Sequence, residues 1–228
     1  MSVYIELRRQ LPAIFGRVID KKSEKPRWAM VIDLRKCIGC YACQASCKME
    51  NGVPYEFFRT HVEQIERGRY PNVRRAFLPV LCNHCEKPSC VPVCPVGATY
   101  KREDGIVVID YDRCIGCGYC IQACPYDARY FNPYTRTADK CDFCLHRIEQ
   151  GLVPACVANC RAGARIFGDL NHPDSPVSKA LKEEGVAVLK PETGNEPHVF
   201  YIGLEQAIPL RGERVTVVSP KIGVVTYE

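Results

Sequence analysis

Apolar positions in this chain come in short runs, and each run ends on a charged residue or a turn. Trp28-Ala-Met-Val-Ile-Asp33 and Gly105-Ile-Val-Val-Ile-Asp110 are too short for helices and rich in β-branched residues, so each predicts a strand. Thr99-Tyr-Lys101 predicts a hairpin with the second of these, its turn carried by Asp104-Gly105. Lys140 to Gln150 predicts a short helix closed by Gly151, and Gly163 to Phe167 a further strand. Past Leu170 a polar loop leads to Ser175 as a helix cap, with Pro176 in the first turn and Gly185 as the stop near Glu184. Val199 to Ile202 and Val215 to Val218 predict two more strands. The pattern is that of an α+β protein with short elements and long loops. No apolar run approaches the ~18 residues that a membrane-spanning helix needs.

Near the amino terminus, Arg8-Arg9 is followed by Leu11, Pro12, Ala13, Ile14 and Phe15. A twin-arginine export signal needs a longer apolar stretch, and Arg17, Asp20, Lys21 and Lys22 interrupt this one. The segment reads as a docking arm or a lead.

With 228 residues, 46% hydrophobic and 25% charged, the chain has ordinary globular composition apart from its sixteen cysteines. They fall into four groups of four: Cys37, Cys40, Cys43, Cys47; Cys82, Cys85, Cys90, Cys94; Cys114, Cys117, Cys120, Cys124; and Cys141, Cys144, Cys156, Cys160. Every group opens with a two-residue gap and closes with a three-residue gap. The first and third groups share Cys-x2-Cys-x2-Cys-x3-Cys and begin Cys-Ile-Gly-Cys.

Three cysteines in such a loop supply three corners of a [4Fe-4S] cubane, with Gly39 and Gly116 permitting the tight turn. In the two-cluster bacterial pattern the fourth cysteine ligates the other cluster, so the groups work in pairs. Cys94 and Cys124 are followed by proline, whereas Cys47 and Cys160 are followed by Lys48 and Arg161. Pairing like with like joins the second group to the third and the first to the fourth. The resulting sets are Cys37/Cys40/Cys43/Cys160, Cys47/Cys141/Cys144/Cys156, Cys82/Cys85/Cys90/Cys124 and Cys94/Cys114/Cys117/Cys120, one two-cluster module nested inside another.

The formal charge of +5 first suggests a nucleic-acid partner. Sixteen thiolates on four cores of +2 each would turn that into about −3, which removes the suggestion. Arg35, Lys36, Lys48, Arg113, Lys140 and Arg161 lie beside cysteines in sequence, where they can balance cluster charge or serve as solvated surface.

A disulfide framework suits a small secreted domain better than four regular groups. Zinc knuckles could use Cys82-Asn-His-Cys85, but they leave the extra cysteine of each compact triplet and the repeated Cys-Pro without a reason. His84 therefore reads as a loop residue near a cluster. No nucleophile–base signature, phosphate loop or dinucleotide fingerprint is present, so the chain reads as an electron conductor without a catalytic residue.

These residues resemble the four-cluster iron–sulfur subunits of molybdopterin-dependent respiratory reductases. The resemblance runs from about Arg27 to Gly203 and rests on the cysteines together with Cys90-Val-Pro-Val-Cys94-Pro95, Cys120-Ile-Gln-Ala-Cys124-Pro-Tyr-Asp-Ala-Arg129 and Ala138-Asp-Lys-Cys-Asp-Phe-Cys144. Gly163-Ala-Arg-Ile-Phe-Gly-Asp169, Asp174-Ser-Pro-Val-Ser178 and Val188-Leu-Lys-Pro-Glu192 make it most similar to the beta subunits of tetrathionate and polysulfide reductases.

The resemblance implies four [4Fe-4S] clusters, a large molybdopterin-containing catalytic subunit and an integral membrane subunit that oxidises quinol. It implies association with the membrane through that partner, on the periplasmic face after co-export, with the cytoplasmic face as the other option. It also implies that the first-and-fourth pair faces the catalytic subunit, starting at the Cys160-completed set. The second-and-third pair would then face the membrane, ending at the Cys124-completed set. The expected organisation is an extension over 1–26, a ferredoxin-like four-cluster domain over 27–170, and a packing and docking extension over 171–228. A partner formate dehydrogenase or hydrogenase, a soluble polyferredoxin and a zinc scaffold are the competing classes.

Overall fold

A computed structural model describes residues 18–19, 22–208, 214–221 and 223–227. The Arg8-Arg9 lead, with Arg17, Asp20 and Lys21, lies outside them.

The fold is built from two small sheets and two hairpins around the cysteine loops. Strand β1 (Trp28–Asp33) is buried along its whole length, as expected of a central strand. It pairs antiparallel with β8 (Arg165–Asp169) and parallel with β10 (Val199–Ile202), and β9 (Val186–Ala187) completes the sheet beside β10. The pleat sends alternate side chains to opposite faces. Ala29 and Val31 pack with Val177 and Ala180 of helix α5 (Pro176–Glu183), while Trp28, Met30 and Ile32 join a core that contains Cys43, Cys82, Cys141 and Cys156. Ser175 caps α5 by accepting a hydrogen bond from the Ser178 N–H at 3.1 Å, as its sequence suggested.

The centre of the second sheet is a long hairpin of β2 (Thr60–Arg69) and β3 (Asn72–Leu81). It is extended on the β2 side by β11 (Val215–Ser219) and then β12 (Gly223–Tyr227), giving the order β12-β11-β2-β3. The expected strand at Val215–Val218 is therefore an added strand on that hairpin. The hairpin itself was not among the expected elements: charged residues interrupt β2, of which Val62 and Ile65 are buried in the core, while β3 reaches the core through Leu78 and Leu81 with Ala76, Phe77 and Val80 packed against it. Two-stranded hairpins flank the third cysteine group: β4 (Thr99–Lys101) with β5 (Val107–Ile109), and β6 (Arg129–Asn132) with β7 (Thr137–Lys140).

Helices are few and short. Helix α1 (Ala42–Asn51) follows the first cysteine loop, and α2 (Tyr119–Gln122), α3 (Leu145–Ile148) and α4 (Ala155–Ala158) are single turns. The helix expected over Lys140–Gln150 is reduced to α3. Lys140 belongs to β7, and Phe143 and Cys144 adopt left-handed conformations, φ 56° and 55°, that a helix does not admit. Among the described residues no helix is long and apolar enough to cross a membrane.

Candidate functional site

Each of the two compact cysteine loops is delivered by a strand and followed by a helical turn. Strand β1 leads to Cys37 and α1 carries Cys43 and Cys47; β5 leads to Cys114 and α2 carries Cys120. Gly39 and Gly116 take positive φ, 66° and 71°, in these loops.

The chain brings cysteines together across groups. Cys37, Cys40, Cys43 and Cys160 line one small cavity with Arg165 on its wall. Cys82, Cys85, Cys90 and Cys124 line another, with Arg129 on its wall. Cys47, Cys141, Cys144 and Cys156 are all buried and act on one another electrostatically. The Asn51 amide donates to the sulfurs of both Cys47 and Cys144, at 3.6 and 3.5 Å. The segment after Cys94 is tied to the one before Cys114: Asp110 N–H donates to the Ala98 carbonyl at 2.7 Å and the Arg113 guanidinium to that of Val96 at 3.1 Å.

All sixteen cysteines are free thiols. Burial pushes the thiols of Cys37, Cys47, Cys90, Cys124, Cys141 and Cys156 above their ordinary range, and those of Cys85 and Cys144 up to about 12. Cys94 is different. Burial acts to raise it too, but backbone N–H groups from Thr99, Val96, Ala98 and Gly97 outweigh that and hold it low. Neutral buried thiols crowded in fours become favourable as thiolates once a metal centre supplies the opposing charge.

The donor set fits iron–sulfur clusters and not single ions. A zinc site needs four ligands converging on one atom, and among the described residues no group of three or more His, Cys, Asp or Glu side chains is close enough to hold one ion. Sets of four sulfurs spread around a shared cavity suit a polynuclear core. His84 lies where a zinc knuckle would need it, but its Nδ1 accepts from the Val107 N–H at 3.1 Å and its ring stacks on Phe143. It is a fully buried, neutral loop residue, as its position suggested, with burial holding its pKa far below the usual value.

The basic residues expected to face the thiolates mostly do something else. Arg35 pairs with Asp33 and Glu184 at 2.9 Å each, and Lys36 reaches Asp33 at 3.6 Å. Lys48 donates to the carbonyls of Pro54, Tyr55 and Phe57, Arg113 to Val96, and Arg161 is exposed. Lys140 is buried and donates to the carbonyls of Val107 and Cys141. The buried cations that act on cysteine thiols are Lys140 together with Arg59, Arg129 and Arg165; the three arginines do not stand beside cysteines in sequence. Sequence proximity missed them, although Arg129 and Arg165 each stand five residues after a group's last cysteine.

The cysteines differ in exposure. Cys40 and Cys117 are exposed, each near an isoleucine, Ile38 and Ile115, that is 64% exposed. Cys82, Cys85 and Cys90 are buried.

Two family descriptions match: a 4Fe-4S binding domain over residues 28–49 and a 4Fe-4S dicluster domain over residues 73–170. The chain is 56% identical over 196 residues to the B subunit of tetrathionate reductase from Salmonella typhimurium, covering 83% of this chain and 78% of that protein. The Archaeoglobus fulgidus protein of the same name is 50% identical, covering 84% and 95%. The B subunit of sulfite dehydrogenase from Allochromatium vinosum is 44% identical, covering 76% and 82%. The chain belongs to the iron–sulfur subunits of molybdopterin-dependent respiratory reductases. Members of this family are electron-transfer subunits, and the two 4Fe-4S domains here meet the sixteen free cysteines described above.

Proposed function

We propose that the chain holds four [4Fe-4S] clusters and passes electrons from a membrane quinol-oxidising subunit to a molybdopterin catalytic subunit that reduces tetrathionate or a related sulfur compound. The observation that carries this reading is the meeting of cysteines from distant groups, Cys160 with the first group and Cys124 with the second, in two separate cavities. The ligand sets are Cys37/Cys40/Cys43/Cys160, Cys47/Cys141/Cys144/Cys156, Cys82/Cys85/Cys90/Cys124 and Cys94/Cys114/Cys117/Cys120. Bound clusters supply one-electron carriers, and the chain supplies no residue for bond-making chemistry.

The chain's own part is to hold and insulate. Strand β1 and its antiparallel partner β8 bring the strand before the first group against the strand after the last. We assign the first-and-fourth pair to the side of the catalytic subunit, starting at the Cys160-completed set, and the second-and-third pair to the side of the membrane subunit, ending at the Cys124-completed set. Attachment to the membrane is through that partner, on the periplasmic face. The similarity to tetrathionate reductase supports a sulfur oxyanion as terminal acceptor.

The test is Cys120→Ser in the assembled complex. Expected is loss of one cluster and of quinol-driven turnover, while activity with an artificial donor at the catalytic subunit persists. Normal quinol-linked turnover with that cluster lost contradicts a linear path.

A further inference from the structure

Arg129 and Arg165 occupy matching places in the chain. Each lies five residues after a closing cysteine, Cys124 or Cys160, at the start of a strand, β6 or β8. Their side chains are almost completely buried, at 2% and 3% exposure. Each lines the cavity completed by the cysteine that precedes it.

Their contacts also match. Arg129 Nη2 donates to Cys90 Sγ at 3.0 Å and Nη1 to Thr99 Oγ1 at 3.2 Å. Arg165 donates from Nη2 to Thr60 Oγ1 at 2.9 Å, approaches Met30 Sδ at 3.8 Å and lies near enough to the Cys156 thiol to act on its charge. Burial opposes the charge on Arg129, while Cys90, Cys82 and Cys120 favour it. Burial likewise opposes the charge on Arg165, while Cys43 and Cys156, then Tyr201 and Cys160, favour it. Cys90 and Cys120 are the third cysteines of the two groups in one pair, and Cys43 and Cys156 are the third cysteines of the two groups in the other. Each guanidinium therefore lies between the two sets of its own pair.

Neither arginine has a carboxylate partner among the described residues, and Arg165 Nε is a buried donor without an acceptor. Arg59, also buried, shows the contrast by pairing with Asp139 and Asp142 at 2.9 and 3.2 Å. A buried cation needs a compensating anion, and here the cysteine sulfurs are the groups that surround it.

Resting on the proposed four-cluster reading, we propose that Arg129 and Arg165 are equivalent potential-setting residues, each a fixed cation shared by the two clusters of one pair. A positive charge at that position favours the reduced, more negative form of both neighbours and raises their potentials together. The two pairs are thus tuned independently, one by each arginine.

The experiment is a potentiometric titration followed by electron paramagnetic resonance on the complex purified anaerobically, with Cys40→Ser and Cys117→Ser used to assign signals to pairs. Arg129→Gln is expected to shift the reduced-to-oxidised ratio of the second-and-third pair about tenfold toward oxidised at fixed ambient potential. That equals a fall of ~59 mV for a one-electron couple. The first-and-fourth pair stays within scatter, and Arg165→Gln gives the converse.

Arg129→Lys and Arg165→Lys keep the charge and hold wild-type potentials. Arg129→Met and Arg165→Met are second neutral variants with the same expected shift if a glutamine variant fails to load. With four clusters present by iron analysis, unmoved potentials, a uniform shift of all four, or a lysine variant that falls as far as the glutamine one overturns the inference. Fewer than four clusters in the wild-type chain overturns instead the reading on which it rests.

Discussion

His84 and Phe143 stack ring on ring with centroids 3.8 Å apart, although one belongs to the second cysteine group and the other to the fourth. Phe143 then meets Phe167 edge-on at 5.3 Å, and Phe167 stacks on Trp28 at 5.3 Å. A continuous aromatic column therefore joins the loops of two buried cysteine sets to the central sheet. Truncating its middle removes contacts on both sides and leaves a cavity that neighbouring elements cannot close. Phe143→Ala is expected to cost ~3–5 kcal/mol, read as a lower urea midpoint for the fluorescence of Trp28, the chain's single tryptophan. An unchanged midpoint would show that the column is not structural.

Arg59 sits in a buried polar network. Besides its two carboxylates, it donates to the Asn51 side chain at 2.9 Å, and Asp139 also accepts from Tyr111, Tyr130 and Asn132. Removing the cation leaves two acids without their counter-charge. Arg59→Met is expected to destabilise by ~3–5 kcal/mol, and Asp139→Asn added to it should recover part of the loss. Simple additivity of the two substitutions in urea unfolding would contradict a coupled network.

The two loop glycines should respond differently to repair. A Cβ on Gly39 would run into the Phe77 ring, a side chain that can move, whereas one on Gly116 would lie 2.5 Å from the backbone carbonyl oxygen of Arg136. Both positions also carry the strain of positive φ. Gly39→Ala is expected to regain iron when combined with Phe77→Leu, while Gly116→Ala is expected to stay iron-deficient when combined with Phe131→Leu. Equal rescue of both, by iron and acid-labile sulfide analysis, would refute this difference.

His198 gives the fold an acid-sensitive point. Its burial, and then the nearby Arg27 charge, lower its pKa to about 4, against an ordinary value of ~6.5. The unfolded chain binds the proton more readily in that window, so stability rises with pH there. The contribution is complete above pH ~6.5 and is lost as pH falls toward 4. His198→Gln should flatten the dependence of the urea midpoint on pH between these limits. A slope equal to wild type would assign the acid sensitivity elsewhere.

The iron–sulfur character of the cysteine groups was legible because ligand spacing is imposed by local loop geometry, and the 4Fe-4S domains match over the same stretches. The strand at Trp28–Asp33 and the cap at Ser175 were legible for the same reason, since both depend on adjacent residues. Arg129 and Arg165 were not. Their significance lies in what folds around them, and charged residues beside cysteines in sequence, such as Arg35 and Lys48, turned out to have carboxylate or carbonyl partners. The β2–β3 hairpin escaped because its strands are held by pairing with each other more than by an apolar pattern. The shortened helix at Leu145–Ile148 depends on left-handed turns at Phe143 and Cys144, residues with no intrinsic preference for that conformation.

We propose that four clusters are held by sixteen cysteines in a chain that connects two partners. The most direct measurement is iron, acid-labile sulfide, zinc and molybdenum analysis of the complex purified anaerobically from its native host, with identification of the chains that accompany it. Expected are about sixteen iron and sixteen sulfide per copy of this chain, as four cubanes require, together with a molybdopterin subunit and a membrane subunit. Zinc in place of iron, iron for fewer than four cubanes, or a loaded chain that purifies alone would contradict it.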